Sequence, residues 1–275
     1  MTNDSDPNGD RHRVTLLTRL SGSDDRTHLL AAAAVVAICA VAALFLWPRA
    51  ERLPDFSAYD DVGEMKRAFF SHLAPAIRAE NRRVLDQRQR LLDIVEDYET
   101  GAGIGWLDRR WLKNLAEEYA LEWDEQDPRL TLELLRRRVD MVPLPLALVQ
   151  AATESGWGRS RFAAEGNNLF GQWCYTPGCG LIPANRSKGA QHEVAAFDSV
   201  RDAVASYLRN LNTHDAYLPL RRLRQQQREA GQIPRAETLI DGLIRYSERR
   251  EDYVEEIRTV LRTNRPIIEE VIEAA

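Results

Sequence analysis

The sequence is short of three things, and each shortage excludes a class. Three cysteines in 275 residues are too few for a disulfide-built scaffold. Positive charge is not in excess: 37 basic against 42 acidic residues give a net charge of −5 and a sequence pI near 5.7. That balance speaks against a protein held to nucleic acid by phosphate contacts. With 29% charged residues and a mean hydropathy of −0.43, the chain lacks the repeated apolar runs of a multi-pass membrane protein. Its 44% hydrophobic residues are in turn too many for a disordered chain.

One apolar run departs from that average. Leu29 to Trp47 carries no charge, and as a helix it would span about 28 Å, near the hydrocarbon thickness of a bilayer. Trp47-Pro48-Arg49 follows it where a cleavable signal peptide would have small residues, and no polar face interrupts it. The pattern predicts an uncleaved single-pass anchor over 29–47. Arg11, Arg13, Arg19 and Arg26 precede the run and only Arg49 and Arg52 follow closely, which places the N-terminus in the cytoplasm. Residues 1–28, rich in Asp, Asn, Ser and Gly, read as a disordered cytoplasmic tail.

Beyond the anchor, the grammar changes twice. Residues 48–140 read as a helical region: apolar residues recur at Val84, Leu85, Leu91, Leu92 and Val95, with Arg88 the exception at the edge of the stripe. Gly101-Ala-Gly-Ile-Gly105 should break the helix, and Asp127-Pro128 should start another. This region shows no chemistry. After residue 200 the chain becomes helical again. Ser199 with Asp202 resembles a capping box, a charged helix over Arg221–Glu229 ends at Gly231, and helices follow over Ala236–Tyr246 and Arg250–Thr263. Asn264 and Pro266 look like stop signals, which leaves 266–275 as a C-terminal tail in which Ile267–Ala275 could add a short final helix.

Between them, residues 145–200 hold seven of the fifteen glycines and balanced charge. Six aromatics accompany them, which suggests tight turns around an aromatic-lined cleft. Cys174 and Cys179 flank a Tyr-Thr-Pro-Gly turn that can bring two Cα atoms into disulfide range. Free thiols or half of a metal site are the other readings. A metal needs further ligands that His192 alone does not supply, so a disulfide is expected, with no metal and no cofactor.

The informative segment runs from Pro143 to Cys174. Leu146, Val149, Ala152 and Thr153 give a buried face to a helix that starts at the prolines and stops at Gly156. Glu154 therefore falls at the helix C-terminus, where the macrodipole disfavours a carboxylate, and Trp157 lies close by. Both effects raise its pKa, as protonation of a glycosidic oxygen requires. The bland alternative is a turn cap, or a pair with Arg159 or Arg161.

A resemblance tips that balance. Glu154-Ser-Gly-Trp-Gly158, Ser160-Arg-Phe-Ala163 and Gly166-Asn-Asn-Leu-Phe-Gly171 resemble the glucosaminidase domain of glycoside hydrolase family 73, and more narrowly the Bax-like bacterial proteins. Glu193-Val-Ala-Ala-Phe-Asp198, Tyr207 to His214 and Leu243-Ile-Arg-Tyr-Ser247 extend the likeness to about residue 262. It implies a mainly α, lysozyme-like α+β glucosaminidase domain over 141–265 with a small β-element. The implied substrate is peptidoglycan, cut at the β-1,4 bond after N-acetylglucosamine. Glu154 corresponds to the general acid and Tyr246 to a tyrosine near the cleft. Combined with the anchor, it implies an inner-membrane protein whose catalytic domain is periplasmic.

For a second carboxylate the candidate is Glu193, in the β-like stretch Gln191–Phe197; a solvated strand residue is the alternative. Asp198 reads as a helix N-cap and Glu165 as exposed. Trp157 and Trp173 could stack on sugar or simply pack. Asn168 and Phe170 complete the expected substrate-binding set, with Asn168 also suited to a tight turn and Phe170 to the core. His192 and His214 have no partner carboxylate at useful spacing. Two further functions remain open. A lytic transglycosylase also works with one glutamate, although Asn168-Leu-Phe-Gly171 stands where those enzymes carry a Gly-Leu-Met-Gln type sequence. A non-catalytic wall-binding scaffold is the other.

Overall fold

The computed structural model describes residues 53–184, 186, 189 and 192–274, together with His28, Val35 and Val36. The chain divides into Met1–Arg49 and a compact unit Ala50–Ala275. The expected anchor lies outside the described residues except at Val35 and Val36. Among the described residues, no helix is long and apolar enough to cross a membrane.

The larger unit is mainly helical with one small sheet. Helix α1, Val62–Glu99, is capped by the Asp61 side chain accepting from the Glu64 N–H. It buries Phe69, Phe70, Leu73, Ile77, Val84 and Leu91. Pro75 sits inside it, but Pro75 and Ser71 both face solvent, so water can serve the carbonyl that the missing N–H leaves open. Arg88, the polar exception in the stripe, donates to the carbonyls of Arg136 and Val139 at 2.7 and 2.8 Å. The glycine-rich break separates α1 from α2, Trp106–Glu118, and α3, Arg129–Arg138, follows Pro128.

Helix α4, Leu144–Ser155, runs through the core with Leu146 to Ala152 and Ser155 all buried. Short α5, Arg161–Gly166, leads into the sheet. Strands β1, Trp173–Cys174, and β2, Gly180–Leu181, flank β3, Glu193–Ala195, both antiparallel. Helix α6, Val200–Thr213, begins at Ser199, whose hydroxyl accepts from the Asp202 N–H as the capping pattern predicts. Helix α7 spans Leu218–Glu229.

Two expectations fail at the C-terminal end. The helix expected over Ala236–Tyr246 is only a turn of α8, Ala236–Leu239, followed by a 3-10 turn, Ile240–Leu243. Gly242 presses onto α7 so closely that an added Cβ would lie 2.3 Å from the Leu220 Cα. Helix α9 runs from Glu251 to Glu273, straight through the supposed stop signals, so the short helix expected after them is part of one continuous helix. Asn264 is buried and satisfies its own amide on the Val260 carbonyl at 2.8 Å. Pro266 faces solvent, while Ile268 and Val271 beyond it are buried, and that burial outweighs one lost hydrogen bond.

The helical region before residue 140 shares one hydrophobic core with the helices after it. Polar ties reinforce the junction. Asn81 on α1 donates to the Val142 carbonyl and accepts its N–H at 2.8 and 3.0 Å. Buried Asp140 accepts two bonds from Arg228, at 3.0 and 2.8 Å, and also faces Arg88 and Arg224. Burial pushes the Asp140 carboxyl up, but the three guanidinium groups outweigh it and hold it below its usual range.

Candidate active site

The site grows from the end of α4. Gly156 takes a left-handed conformation at φ 58°, and Trp157 and Gly158 follow at φ 62° and 77°, so the chain reverses within three residues. Ser155 locks the turn: its hydroxyl donates to the Ala151 carbonyl at 2.6 Å and accepts the Gly158 N–H at 2.8 Å. Trp157 swings away and packs on Phe69 and Phe70 of α1, centroids 5.7 and 5.2 Å apart. Glu154, one residue before Ser155, is left half-buried at the wall of a cleft of about 580 Å³. Gly171 stands opposite; a side chain there would come within 3.3 Å of the Glu154 Oε2, so glycine keeps the carboxyl approachable.

Burial is the main influence on Glu154 and raises its pKa; the Tyr253 hydroxyl and the Arg249 charge pull it partly back, and Glu256 pushes it up again. The Tyr253 contact has a direction fixed by chemistry. The Tyr207 hydroxyl donates to the Gln150 Oε1 at 2.7 Å. The Gln150 Nε2 can only donate, and does so to the Tyr253 oxygen at 2.9 Å. The one proton on Tyr253 is then free for the Glu154 carboxyl, with which it hydrogen-bonds. Gln150 and Tyr207 are fully buried, so this part of the chain of hydroxyls and amide is shielded from water.

Among the expected site residues, Glu154, Phe170, Trp173 and Tyr246 line this cleft. Phe170 is buried and stacks on Tyr207 at 3.9 Å, so it forms the floor. The Tyr246 hydroxyl donates to the Phe170 carbonyl at 3.0 Å, and its ring stacks on Tyr253 at 5.3 Å. The hydroxyl beside Glu154 is therefore that of Tyr253, for which the sequence carries no local signal.

Trp157, Asn168 and Glu193 are placed elsewhere. Trp157 is held in its core contacts with Phe69 and Phe70. Asn168 is buried; its Nδ2 donates to the Gln172 and Ala195 carbonyls, both at 2.8 Å, and its Oδ1 accepts the Gln172 N–H at 3.0 Å. It ties the turn to the sheet. Glu193 accepts the Gly178 N–H at 3.0 Å with one oxygen and the Gly180 N–H at 2.9 Å with the other. Those backbone donors hold its carboxyl below the usual range. Its oxygens are engaged inside the hairpin that Cys174 and Cys179 close as a disulfide, with Cα atoms 6.2 Å apart. Among the described residues, Cys174, Cys179 and Glu193 form a cluster of potential metal ligands, but the two sulfurs bond each other.

The cleft also has a polar wall for which the sequence analysis names no residue. Ser206, Arg209, Asn210 and Thr213 line it from α6. Their spacing of three, four and seven residues marks a polar face opposite the apolar Val204, Tyr207, Leu208 and Leu211, and that signal was legible. Gln172 is anchored to α6, accepting from the Ser206 hydroxyl at 2.7 Å and donating to the Ala203 carbonyl at 3.1 Å. Among the described residues lining the cleft, Glu154 is the single carboxylate.

Known proteins match the sequence over the same region. The family model described as "Glucosaminidase: Mannosyl-glycoprotein endo-beta-N-acetylglucosaminidase" matches residues 131–265, which include α4, the sheet and the cleft. The chain is 32% identical over 222 residues to "Protein bax" of Escherichia coli (strain K12), covering 80% of this chain and 77% of that protein. No solved structure matches significantly. Matched this far along its length, the chain whose cleft carries the half-buried Glu154 is a Bax-like member of the glucosaminidase family.

Proposed function

We propose that the chain is a peptidoglycan hydrolase of the endo-β-N-acetylglucosaminidase type, cutting the β-1,4 bond after N-acetylglucosamine on a lysozyme-like scaffold. The observation that carries this reading is Glu154, the lone carboxylate among the described residues lining the cleft, half-buried with a raised pKa. Protonated, it gives its proton to the glycosidic oxygen as the bond breaks. The Tyr253 hydroxyl then stabilises the carboxylate left behind. Positive charge developing at the anomeric carbon is met by the oxygen of the substrate's own N-acetyl group, since Glu193 is spent on backbone N–H groups. Glu154 finally takes a proton from the water that completes hydrolysis. The domain is tethered by residues 29–47 to the inner membrane, N-terminus inside, with the cleft in the periplasm. The anchor length, the arginine bias and the disulfide support that placement.

The lone carboxylate also favours a second reading. A lytic transglycosylase needs no protein base for water, because a hydroxyl of the same sugar attacks and closes an anhydro ring. Mass spectrometry of purified peptidoglycan digested by the full chain separates the two. New reducing-end N-acetylglucosamine is expected; anhydro-muramyl ends would instead establish the transglycosylase, and binding without digestion would establish a scaffold.

A further inference from the structure

We infer that the Cys174–Cys179 hairpin is a braced lip of the cleft: Trp173 and Tyr175 stack on a sugar ring of the bound glycan, and Glu193 is the positioning residue that holds them there. This rests on the glycan reading of the cleft under the proposed function. Both aromatics line the same cavity as Glu154, yet they are 53% and 76% exposed. Two large aromatic side chains left in water on the lining of a cleft are suited to the C–H face of a pyranose. Trp173 is steadied by His192, with ring centroids 4.0 Å apart.

The bracing comes from three directions. The disulfide closes the turn across Tyr175 to Gly178. Glu193 pairs with Cys174 in the β1–β3 ladder, directly across from the bridge. From there its two oxygens reach back to the Gly178 and Gly180 N–H groups at 3.0 and 2.9 Å. Only a carboxylate can accept at both positions. A glutamine would set its own NH₂ against one of the two backbone donors. Ring positions fixed before the glycan arrives cost less ordering entropy on binding.

The test uses the full chain and soluble, peptide-free glycan strands. Tyr175→Ala and Trp173→Ala are expected to raise KM about tenfold, and Glu193→Gln and the double variant Cys174→Ser/Cys179→Ser about threefold, with kcat held within about twofold. Tyr175 is exposed, so its truncation reads binding without a loss of folding. The same order should appear as weaker strand retention when each change is made in a Glu154→Gln background. An unchanged KM in Tyr175→Ala and Trp173→Ala would overturn the inference. So would a collapse of kcat in Glu193→Gln at constant KM, which would return that carboxylate to catalysis. If wild type digests nothing while the lip variants still lose strand retention, the lip stands and the hydrolase reading falls.

Discussion

Glu154 and Glu193 were the two carboxylates on which a glycosidase mechanism could be built, and their surroundings differ in kind. Glu154 ends a core helix, loses water to burial and has its pKa raised. Glu193 sits on a three-residue strand, accepts two backbone N–H groups and has its pKa lowered. Opposite shifts in a pair of carboxyls often mark an acid and a base. Here geometry decides otherwise, because one of the two does not face the cleft. A perturbed pKa shows what surrounds a group, and only position shows what the group can reach.

The largest effect is expected at Glu154. Glu154→Gln keeps the shape of the side chain and removes the transferable proton, so digestion should fall by about 10²–10⁴-fold. Residual activity near wild type would end the account. Next in size is the buried hub that fixes the helical region to the site. Asp140→Ala leaves Arg224 and its neighbours without their counter-charge, and should cost about 3–5 kcal/mol in a denaturant titration. The same hub sets an acid limit. The folded-state pKa of Asp140 lies below its unfolded value. Its stabilisation is therefore present above the unfolded pKa, roughly 3.9, and is lost as pH falls through the folded one. A chain whose midpoint does not change across that acid window would contradict this.

A smaller effect is expected at Tyr253. Tyr253 donates to Glu154 and lowers its pKa against the larger push of burial. Tyr253→Phe should move the Glu154 pKa further up. The acid must be protonated to act, so activity falls as pH rises through that pKa. The descending limb of kcat/KM should therefore shift to higher pH in the variant. A limb that stays in place would mean that the Gln150–Tyr253 chain does not reach the reacting carboxyl.

Much of the architecture could be read in advance because it depends on local rules. Pro143 and Gly156 bound α4, Ser199 caps α6, and the Cys174–Cys179 spacing around Pro177-Gly178 closes a disulfide. What escaped depends on partners far along the chain. Glu193 is occupied by backbone N–H groups, which carry no side-chain signature in a sequence. Tyr253 owes its place beside Glu154 to Gln150 and Tyr207, residues 103 and 57 positions apart in their pairings. Asn264 and Pro266 stop a helix in isolation, but buried Ile268 and Val271 carry α9 past them. Trp157 could be a sugar platform or a core residue on composition alone, and only Phe69 and Phe70 decide it.

The central claim is that one carboxylate does the chemistry while the other holds the hairpin. Turnover of Glu154→Gln and Glu193→Gln at saturating glycan, measured side by side, tests it most directly. The expected kcat is reduced by about 10²–10⁴-fold in the first and held within about twofold in the second. Equal collapse of both would contradict it.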